Sequence, residues 1–139
     1  MTAFRPARLE DAPRIAELLT QLGYPGELEA VAGRLALLLR SPTHLVLVDT
    51  RVDGCVTAER RLVLHQDEHV EITGLVVDAA VRRSGLGRAL VRAAEQWAVR
   101  HGVPAVVVRS NVVRPESHAF YEAAGYRRTA TSHSYRRTV

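Results

Sequence analysis

The first forty residues carry apolar side chains three or four positions apart, behind a short strand at "FRPAR". A first helix is predicted after Glu10 and Asp11, with Pro13 in its first turn. Gly23 ends it. Four residues form its core face: Ile15, Leu18, Leu19 and Leu22. A second helix is predicted from about Glu27 to Arg40. Its core face consists of Leu28, Val31, Leu35 and Leu38.

Beyond Ser41 and Pro42 the pattern changes to that of β-strands. The segments "HLVLVDT" and "CVTAERRLVLH" are separated by "RVDG", whose Asp–Gly pair is a strong hairpin signal. The polar "QDE" indicates the next turn, and "HVEITGLVV" the strand that follows it. We therefore expect an antiparallel meander of three strands in the middle of the chain.

A third helix is predicted from about Gly85 to His101, with Gly102 at its end. Its buried residues are Leu86, Leu90, Ala94 and Trp97. The β-branched run "PAVVVRS" predicts a central strand covered on both faces. Pro115 can open a short fourth helix that Gly125 closes, and "YRRTATSHSYRRTV" would supply two final strands. The order predicts an α/β (α+β) fold in a single domain, residues 1–139. Its mixed, mostly antiparallel central sheet has about six to seven strands flanked by four helices.

Composition favours an ordinary globular domain without a membrane segment. Of the 139 residues, 47% are hydrophobic and 24% charged, and no apolar run is long enough to cross a bilayer. The amino terminus lacks the pattern of a secretory signal, so the expected location is the cytoplasm. The single cysteine, Cys55, has no disulfide or CxxC partner and is interpreted as a small strand residue.

A net charge of +4 and a pI near 10.0 raise the question of nucleic-acid binding. The arginine pairs are spread along the chain and aromatic residues are few, so we expect no nucleic-acid partner. A steep salt dependence of DNA binding would support that alternative. All 19 basic residues are arginine, so the amino terminus carries the chain's one acylatable amine.

The stretch "RRSGLG", Arg82 to Gly87, stands between a strand and a helix. Its glycines let a ligand approach the backbone, and the first N–H groups of a helix attract anions, so the stretch can hold a phosphate. A tight turn with solvated arginines is the plain alternative. A nucleoside-triphosphate loop is excluded because the chain has no lysine. A dinucleotide-binding loop is disfavoured because Leu90 occupies the position of its third glycine.

"RRSGLG" resembles the (Q/R)xxGx(G/A) loop of the GNAT superfamily of acetyl-CoA-dependent N-acetyltransferases. "SHAFYEAAGY" resembles that family's "xFYexxGF" segment, and the likeness covers about residues 3 to 137. It implies acetyl-CoA as co-substrate, loop amides that bind its pyrophosphate, and a splay between strands four and five that exposes amides to the pantetheine arm. The residues expected to contact coenzyme A are Leu75, Val76, Val77, Arg82, Arg83, Ser84, Gly85, Leu86, Gly87, Arg88, Asn111, Arg114 and Phe120.

Some of these assignments stay open. Either Asn111 or Arg114 could make the contact after strand five, and Asn111 could equally cap a turn. Phe120 is expected mainly to pack. For Leu75 to Val77 the side chains are expected to be plain core, and the amides to be the functional groups.

The same resemblance implies that Tyr121 protonates the leaving sulfur, since a phenol is protonated at neutral pH; a core tyrosine is the alternative. Glu71 is the candidate general base, directly or through water, or else a surface or ion-paired carboxylate. By period-two alternation Glu71 would share a strand face with Thr73, Leu75 and Val77.

No metal-ligand cluster accompanies the histidines. His69 and His118 lack an HxxxH or Cys/His pattern, so we expect both to face solvent and we predict no metal site.

The family resemblance assigns acceptor choice to two segments, "LGYPGELE" and "HQDEHVE", which are both acidic. They favour a small cationic amine, such as an aminoglycoside, a polyamine or an amino-acid derivative, although they could be solvated turns. A protein amino terminus or a lysine remains an alternative acceptor, and a non-catalytic acyl-CoA sensor an alternative function that retention of Glu71 and Tyr121 disfavours. A homodimer is left open.

Overall fold

The structure, a computed structural model, describes residues 3–24, 26–109 and 115–139. Contacts within the chain divide it into two compact units, Met1–Arg109 and Ser110–Val139. The first unit holds a five-stranded sheet with helices on both faces. The second holds a single helix followed by an extended segment.

The elements of the first unit follow the predicted order. They are β1 (Phe4–Pro6), α1 (Ala12–Leu22), α2 (Leu28–Arg40), β2 (His44–Asp49), β3 (Gly54–Val63), β4 (Gln66–Val77), α3 (Leu86–Arg100) and β5 (Val106–Val108). Single 3₁₀ turns lie at Leu9–Asp11 and Ala79–Val81. The second unit contains α4 (Pro115–Ala123). All four predicted helices are confirmed, and each differs from its predicted bounds by at most two residues.

The strands are arranged β1-β2-β3-β4-β5. The first four are antiparallel, and β4 and β5 are parallel, which confirms a mixed, mostly antiparallel sheet. The described residues form five strands rather than six to seven, and β5 ends the sheet instead of lying at its centre. Residues 127–139 contain no strand and are exposed. Their polar run offers no apolar face to bury, and burial of such a face is what stabilises a strand in water.

The β3–β4 turn lies earlier than the sequence indicated. Val63 pairs with Gln66, so Leu64 and His65 form the turn and "QDE" belongs to β4. His69 consequently lies inside the sheet opposite Arg61 and is buried, which corrects the expectation that it faces solvent. His118 of α4 is half-buried rather than fully exposed.

Two apolar clusters hold helices against opposite faces of the sheet. One joins α1 and α2 to the face that carries Val46, Val48, Cys55 and Val76. The other joins α3, through Trp97, to the face that carries Ala58 and Val70. Burial raises the pKa of the Cys55 thiol to about 12, so this cysteine stays protonated and unreactive at neutral pH.

Gly54, at the start of β3, lets α3 approach the sheet closely. A Cβ at this position would lie 2.8 Å from Leu90 Cδ1 and 3.1 Å from Leu86 Cδ2. Leu90 is fully buried and Leu86 nearly so. The first turn of α3 therefore packs directly on the backbone of β3.

Asp11 holds the segment before α1 in place, and its ionisation should make the free energy of unfolding depend on pH. Its carboxylate accepts hydrogen bonds from Arg5 Nη1 (2.7 Å), Arg5 Nη2 (2.9 Å) and the Arg8 amide (2.8 Å). These contacts, the Arg5 bond first, lower the pKa of Asp11 below its ordinary value of 3.8. The stabilisation is therefore complete well above pH 3.8 and is lost as the pH falls through the folded-state pKa.

Asp11→Asn should lower the free energy of unfolding by about 2 kcal/mol at neutral pH, because one partner of a charged pair is removed. The difference from the wild type should shrink as the pH falls below 3.8. Urea unfolding across that range measures both quantities, with the exposed neighbour Glu10→Gln as control. A gap that stays constant with pH would show that the carboxylate charge is not responsible.

Candidate functional site

The connection from β4 to α3 turns through left-handed backbone at two places. Arg83 has φ 66° and Gly85, which caps α3, has φ 87°. Left-handed residues within a turn direct successive N–H groups toward one side, which makes an anion-binding concavity. The first helical bond of α3 runs from the Ala89 amide to the Gly85 carbonyl at 3.0 Å. Amides before Ala89 have no carbonyl one turn earlier in the helix, and that of Leu86 donates to Ser84 Oγ at 3.4 Å.

Positive charge surrounds these amides. The side chains of Arg82, Arg83 and Arg88 are exposed along the turn and the first turn of α3. The helix dipole adds further positive potential at the same end. Leu86 is buried in the core, so its side chain packs and only its backbone can take part in binding. The arrangement suits a ligand with a phosphate or pyrophosphate group.

The segment that enters this turn is attached to α1. Arg14 Nη2 lies 2.6 Å from Asp78 Oδ2, and Arg14 Nε donates to the Val52 carbonyl at 2.9 Å. The Ala79 amide donates to Gln21 Oε1 at 2.9 Å. The Ala80 amide and then Arg14 lower the pKa of Asp78, so the carboxylate keeps its charge at neutral pH. Sequence reasoning did not find this support, because its partners lie far apart in the chain.

β4 continues beyond its pairing with β5. The parallel register covers Val70↔Val106 to Ile72↔Val108, and from Gly74 to Val77 the partner of β4 is β3. Among the described residues, the stretch Leu75 to Val77 therefore lies past the last pair between β4 and β5, which is compatible with the predicted role of its amides. The splay angle itself stays a prediction.

A β-bulge interrupts β4 at Thr73. Ala58 pairs with Ile72 and Thr57 with Gly74, so Thr73 is an extra residue. Its hydroxyl lies 2.8 Å from that of Thr57, and a Cβ on Gly74 would meet the same Thr57 oxygen at 2.8 Å. A glycine within a strand is a known sign of such a bulge and could have predicted it.

The bulge corrects the expected face of Glu71. Glu71 pairs with Glu59 and Val76 with Cys55, so both lie on the sheet face that carries α1 and α2. Leu75 and Val77 lie on the α3 face, not with Glu71, because the extra residue shifts the alternation by one. The side chain of Glu71 thus lies on the face of the sheet opposite to α3.

Glu71 is the buried member of a group of charged side chains that we call the Glu71 cluster: His44, Glu59, Arg61, Glu71 and Arg109. Glu71 Oε1 receives Arg61 Nη1 at 3.3 Å and Arg109 Nε at 3.2 Å. Arg61 Nε also lies 3.8 Å from Glu59 Oε1, and Glu59 Oε2 lies 3.1 Å from His44 Nε2. The two guanidinium groups compensate the charge of a carboxylate that is only 11% exposed.

Neither arginine was predicted. The correct β3–β4 turn would have shown that Arg61 lies two residues along β3 from the partner of Glu71. Arg109 follows β5 directly, where Val107 pairs with Glu71. Both positions depend on strand register, which single residues do not reveal.

Tyr121 lies in α4, in the second unit. Its ring makes edge contacts with Phe120 and Tyr126, at centroid distances of 5.1 and 5.9 Å. Burial raises the pKa of Tyr121 above 10.0, so the phenol is protonated at neutral pH and able to donate. Phe120 packs against it, as expected. Asn111 and Arg114 lie outside the described residues.

The described part of the chain offers neither a cluster of metal ligands nor a membrane-spanning helix. No three His, Cys, Asp or Glu side chains within it come together as metal ligands, and the expectation of no metal stays a prediction. None of its helices has the length and apolarity needed to cross a membrane.

Comparison with known proteins gives a family match across most of the chain. The sequence model described as "Acetyltransferase (GNAT) family" matches residues 12–126. "Uncharacterized N-acetyltransferase YhdJ" of Bacillus subtilis (strain 168) is 28% identical over 134 residues, which are 94% of this chain and 90% of that protein. Human N-acetylaspartate synthetase is 32% identical over 91 residues, 66% of this chain and 29% of that protein. The chain thus spans less than a third of the synthetase.

A solved structure has the same fold. It is that of AAC(6')-Iy in complex with the bisubstrate analogue CoA-S-monomethyl-acetylneamine. It superposes with a TM-score of 0.87 and 16% identity, over 100% of this chain and 99% of that chain. That likeness extends over both units described above.

Proposed function

Because this chain belongs to the acetyltransferase (GNAT) family, we propose that it transfers the acetyl group of acetyl-CoA to the primary amine of a small molecule. The turn from Arg83 to Gly85 carries this proposal. Its left-handed residues and the start of α3 supply backbone donors within a group of exposed arginines. These features fit the pyrophosphate of coenzyme A.

Different residues would bind different parts of coenzyme A. The amides from Ser84 to Arg88, with the side chains of Arg82 and Arg83, would bind the pyrophosphate. The amides of Leu75, Val76 and Val77 would bind the pantetheine arm and polarise the thioester carbonyl. Asn111 or Arg114 and Phe120 complete the set expected from the family resemblance.

The proposed reaction is direct attack. The amine nitrogen forms a bond to the thioester carbonyl carbon, and its surplus proton passes to Glu71, directly or through water. The C–S bond then breaks, and the departing sulfur takes the phenolic proton of Tyr121 to give free coenzyme A. Solvent returns the proton to Tyr121. The position of Glu71 on the face opposite to α3 supports an approach of the two substrates from different sides of β4.

The acceptor that the acidic segments favour is cationic: an aminoglycoside, a polyamine or an amino-acid derivative. Glu27, Glu29 and Asp67 are exposed in these segments, which supports that expectation, whereas Glu68 is paired with Arg60 at 3.2 Å. The names of two similar proteins fall within the same classes, one an aminoglycoside acetyltransferase and one a synthetase of an acetylated amino acid.

The alternatives are a non-catalytic acyl-CoA sensor and an enzyme that acetylates protein amino termini or lysines. The protonated Tyr121 favours catalysis over sensing. The two ion pairs of Glu71 match the alternative interpretation of an ion-paired carboxylate, so its role as base rests on the family resemblance. We further propose that residues 1–139 act as one acetyltransferase domain, in the cytoplasm, with no nucleic-acid partner. A homodimer is compatible with this function and is not required by it.

Titration calorimetry with acetyl-CoA tests the binding half of the proposal. We expect saturable heat with acetyl-CoA and at least tenfold weaker binding of S-acetylpantetheine, because the latter lacks the pyrophosphate that the turn would hold. Thiol release with a panel of primary amines then tests transfer. Absence of heat at several temperatures from folded protein would rule the proposal out, and binding without thiol release would favour the sensor.

A further inference from the structure

We propose that the acceptor is an amino acid or amino-acid derivative, whose carboxylate binds Arg61 and Arg109 while its amine faces Glu71. This inference rests on the proposed acetyl transfer and selects one of the three acceptor classes that it allows. The Glu71 cluster carries it, since this cluster places cationic groups beside the candidate base.

Arg109 is oriented as a binding group more than as a structural one. Its side chain is 64% exposed, and it contacts Glu71 through Nε. In the described part of the chain, Nη1 and Nη2 make no hydrogen bond or ion pair. A guanidinium offers these paired donors in the geometry that a carboxylate accepts in a bidentate manner.

Arg61 supplies a second cationic group next to the first. It is 38% exposed and spans Glu59 and Glu71, with Nε on one and Nη1 on the other. Because both arginines contact the same oxygen of Glu71, their side chains converge at one point on the face that carries α1 and α2. A carboxylate bound between them would lie beside Glu71.

The charges of the cluster favour a ligand of both signs. The formal charges of the two arginines and the two glutamates balance. An amino acid can replace each of the contacts among these groups by an equivalent one. Its ammonium group can bind Glu71 in place of one guanidinium, and its carboxylate can bind the guanidinium that is released. The buried carboxylate then keeps a cationic partner throughout, which its burial requires.

A ligand of positive charge alone fits the cluster less well. A polyamine or an aminoglycoside would bring ammonium groups next to two guanidinium groups without an anion to compensate them. Like charges at such distances repel, and the repulsion is strongest near partly buried groups. The cluster therefore discriminates among amines by the presence of a carboxylate.

The test compares common amino acids with their α-amides, which differ by the carboxylate alone. For the best acceptor we expect wild-type kcat/KM to be at least about tenfold higher for the acid than for its amide. The amide has the less basic amine, so more of it is neutral, and the preference must come from binding. Arg109→Gln should raise the KM of the acid about tenfold and bring the ratio of kcat/KM for acid over amide close to one.

Two further variants separate recognition from support of Glu71. Arg109→Lys keeps the charge but lacks the paired donors, so it should recover the preference only in part. Arg100→Gln removes another exposed arginine, which lies in α3, and should leave kcat/KM unchanged for both substrates. Equal activity on acid and amide, or an equal loss of both in Arg109→Gln, would overturn the inference. Turnover of amides alone would overturn it while the proposed function stands, and failure to acetylate any amine would remove both.

Discussion

Tyr121→Phe should lower kcat about 100-fold while the affinity for acetyl-CoA stays within about twofold of the wild type. The substitution removes the phenolic proton and keeps the ring, so the contacts with Phe120 and Tyr126 are preserved. Thiolate departure then has no positioned acid and must rely on water. Steady-state kinetics measure kcat, and calorimetry measures binding.

The matched control is Tyr135→Phe, because Tyr135 is 91% exposed in the same unit and has no assigned role. It should leave both quantities unchanged. Since burial raises the pKa of Tyr121, the phenol should stay protonated past pH 10.0. Deprotonation of Tyr121 should therefore not reduce wild-type kcat at any pH below 10.0. Unchanged turnover in Tyr121→Phe would remove its role as general acid.

Glu71→Gln should lower kcat/KM about 100-fold and make the acidic limb of the pH–rate profile less steep, because protonation of the acceptor amine is then its remaining cause. The amide keeps the shape of the side chain but cannot accept the proton that the attacking amine releases. A general base acts only in its unprotonated form, and the variant has no such group. Profiles of kcat/KM from acid to neutral pH measure this difference.

Glu68→Gln is the control for Glu71→Gln. Glu68 lies on the same strand and is likewise paired with an arginine, Arg60, but it is more exposed, at 34% against 11%. Its loss should leave the profile unchanged. Identical acidic limbs in the wild type and Glu71→Gln would exclude Glu71 as the base and leave water in that role.

Helices were predictable because their signals are local. Pro13 and Gly23 mark the ends of α1, and the apolar spacing within α3 identifies the face that packs on the sheet. The turn before α3 was recognisable for the same reason, since two glycines and a helix start lie within a few residues. The backbone chemistry of that turn could be inferred before its geometry was known.

Strand register was not predictable in the same way. A single bulge at Thr73 moves every later side chain of β4 to the other face, and alternation alone cannot show it. The contacts of Arg14 with Val52 and of Arg109 with Glu71 each join residues 38 positions apart. Such pairs depend on how strands align and how helices lie on them, which is decided by the whole core.

The carboxy-terminal segment shows a limit of propensity. "YRRTATSHSYRRTV" contains the β-favouring residues Tyr, Thr and Val, and the prediction of two strands rested on them. In the structure its residues after Tyr126 are exposed and form no ladder. β-propensity mainly reflects packing against a neighbouring face, so it has little force where neither set of alternate positions is consistently apolar.

The absence of a side chain at Gly54, at the start of β3, restricts the substitutions that this enzyme can accept. A Cβ at position 54 would lie 2.8 Å from Leu90 Cδ1 and 3.1 Å from Leu86 Cδ2, so a larger residue would displace side chains of the first turn of α3. A mutation inside the sheet would thereby disturb the amides that we propose as the pyrophosphate site without contacting the ligand. We therefore expect position 54 to accept fewer substitutions than the exposed positions of the same sheet.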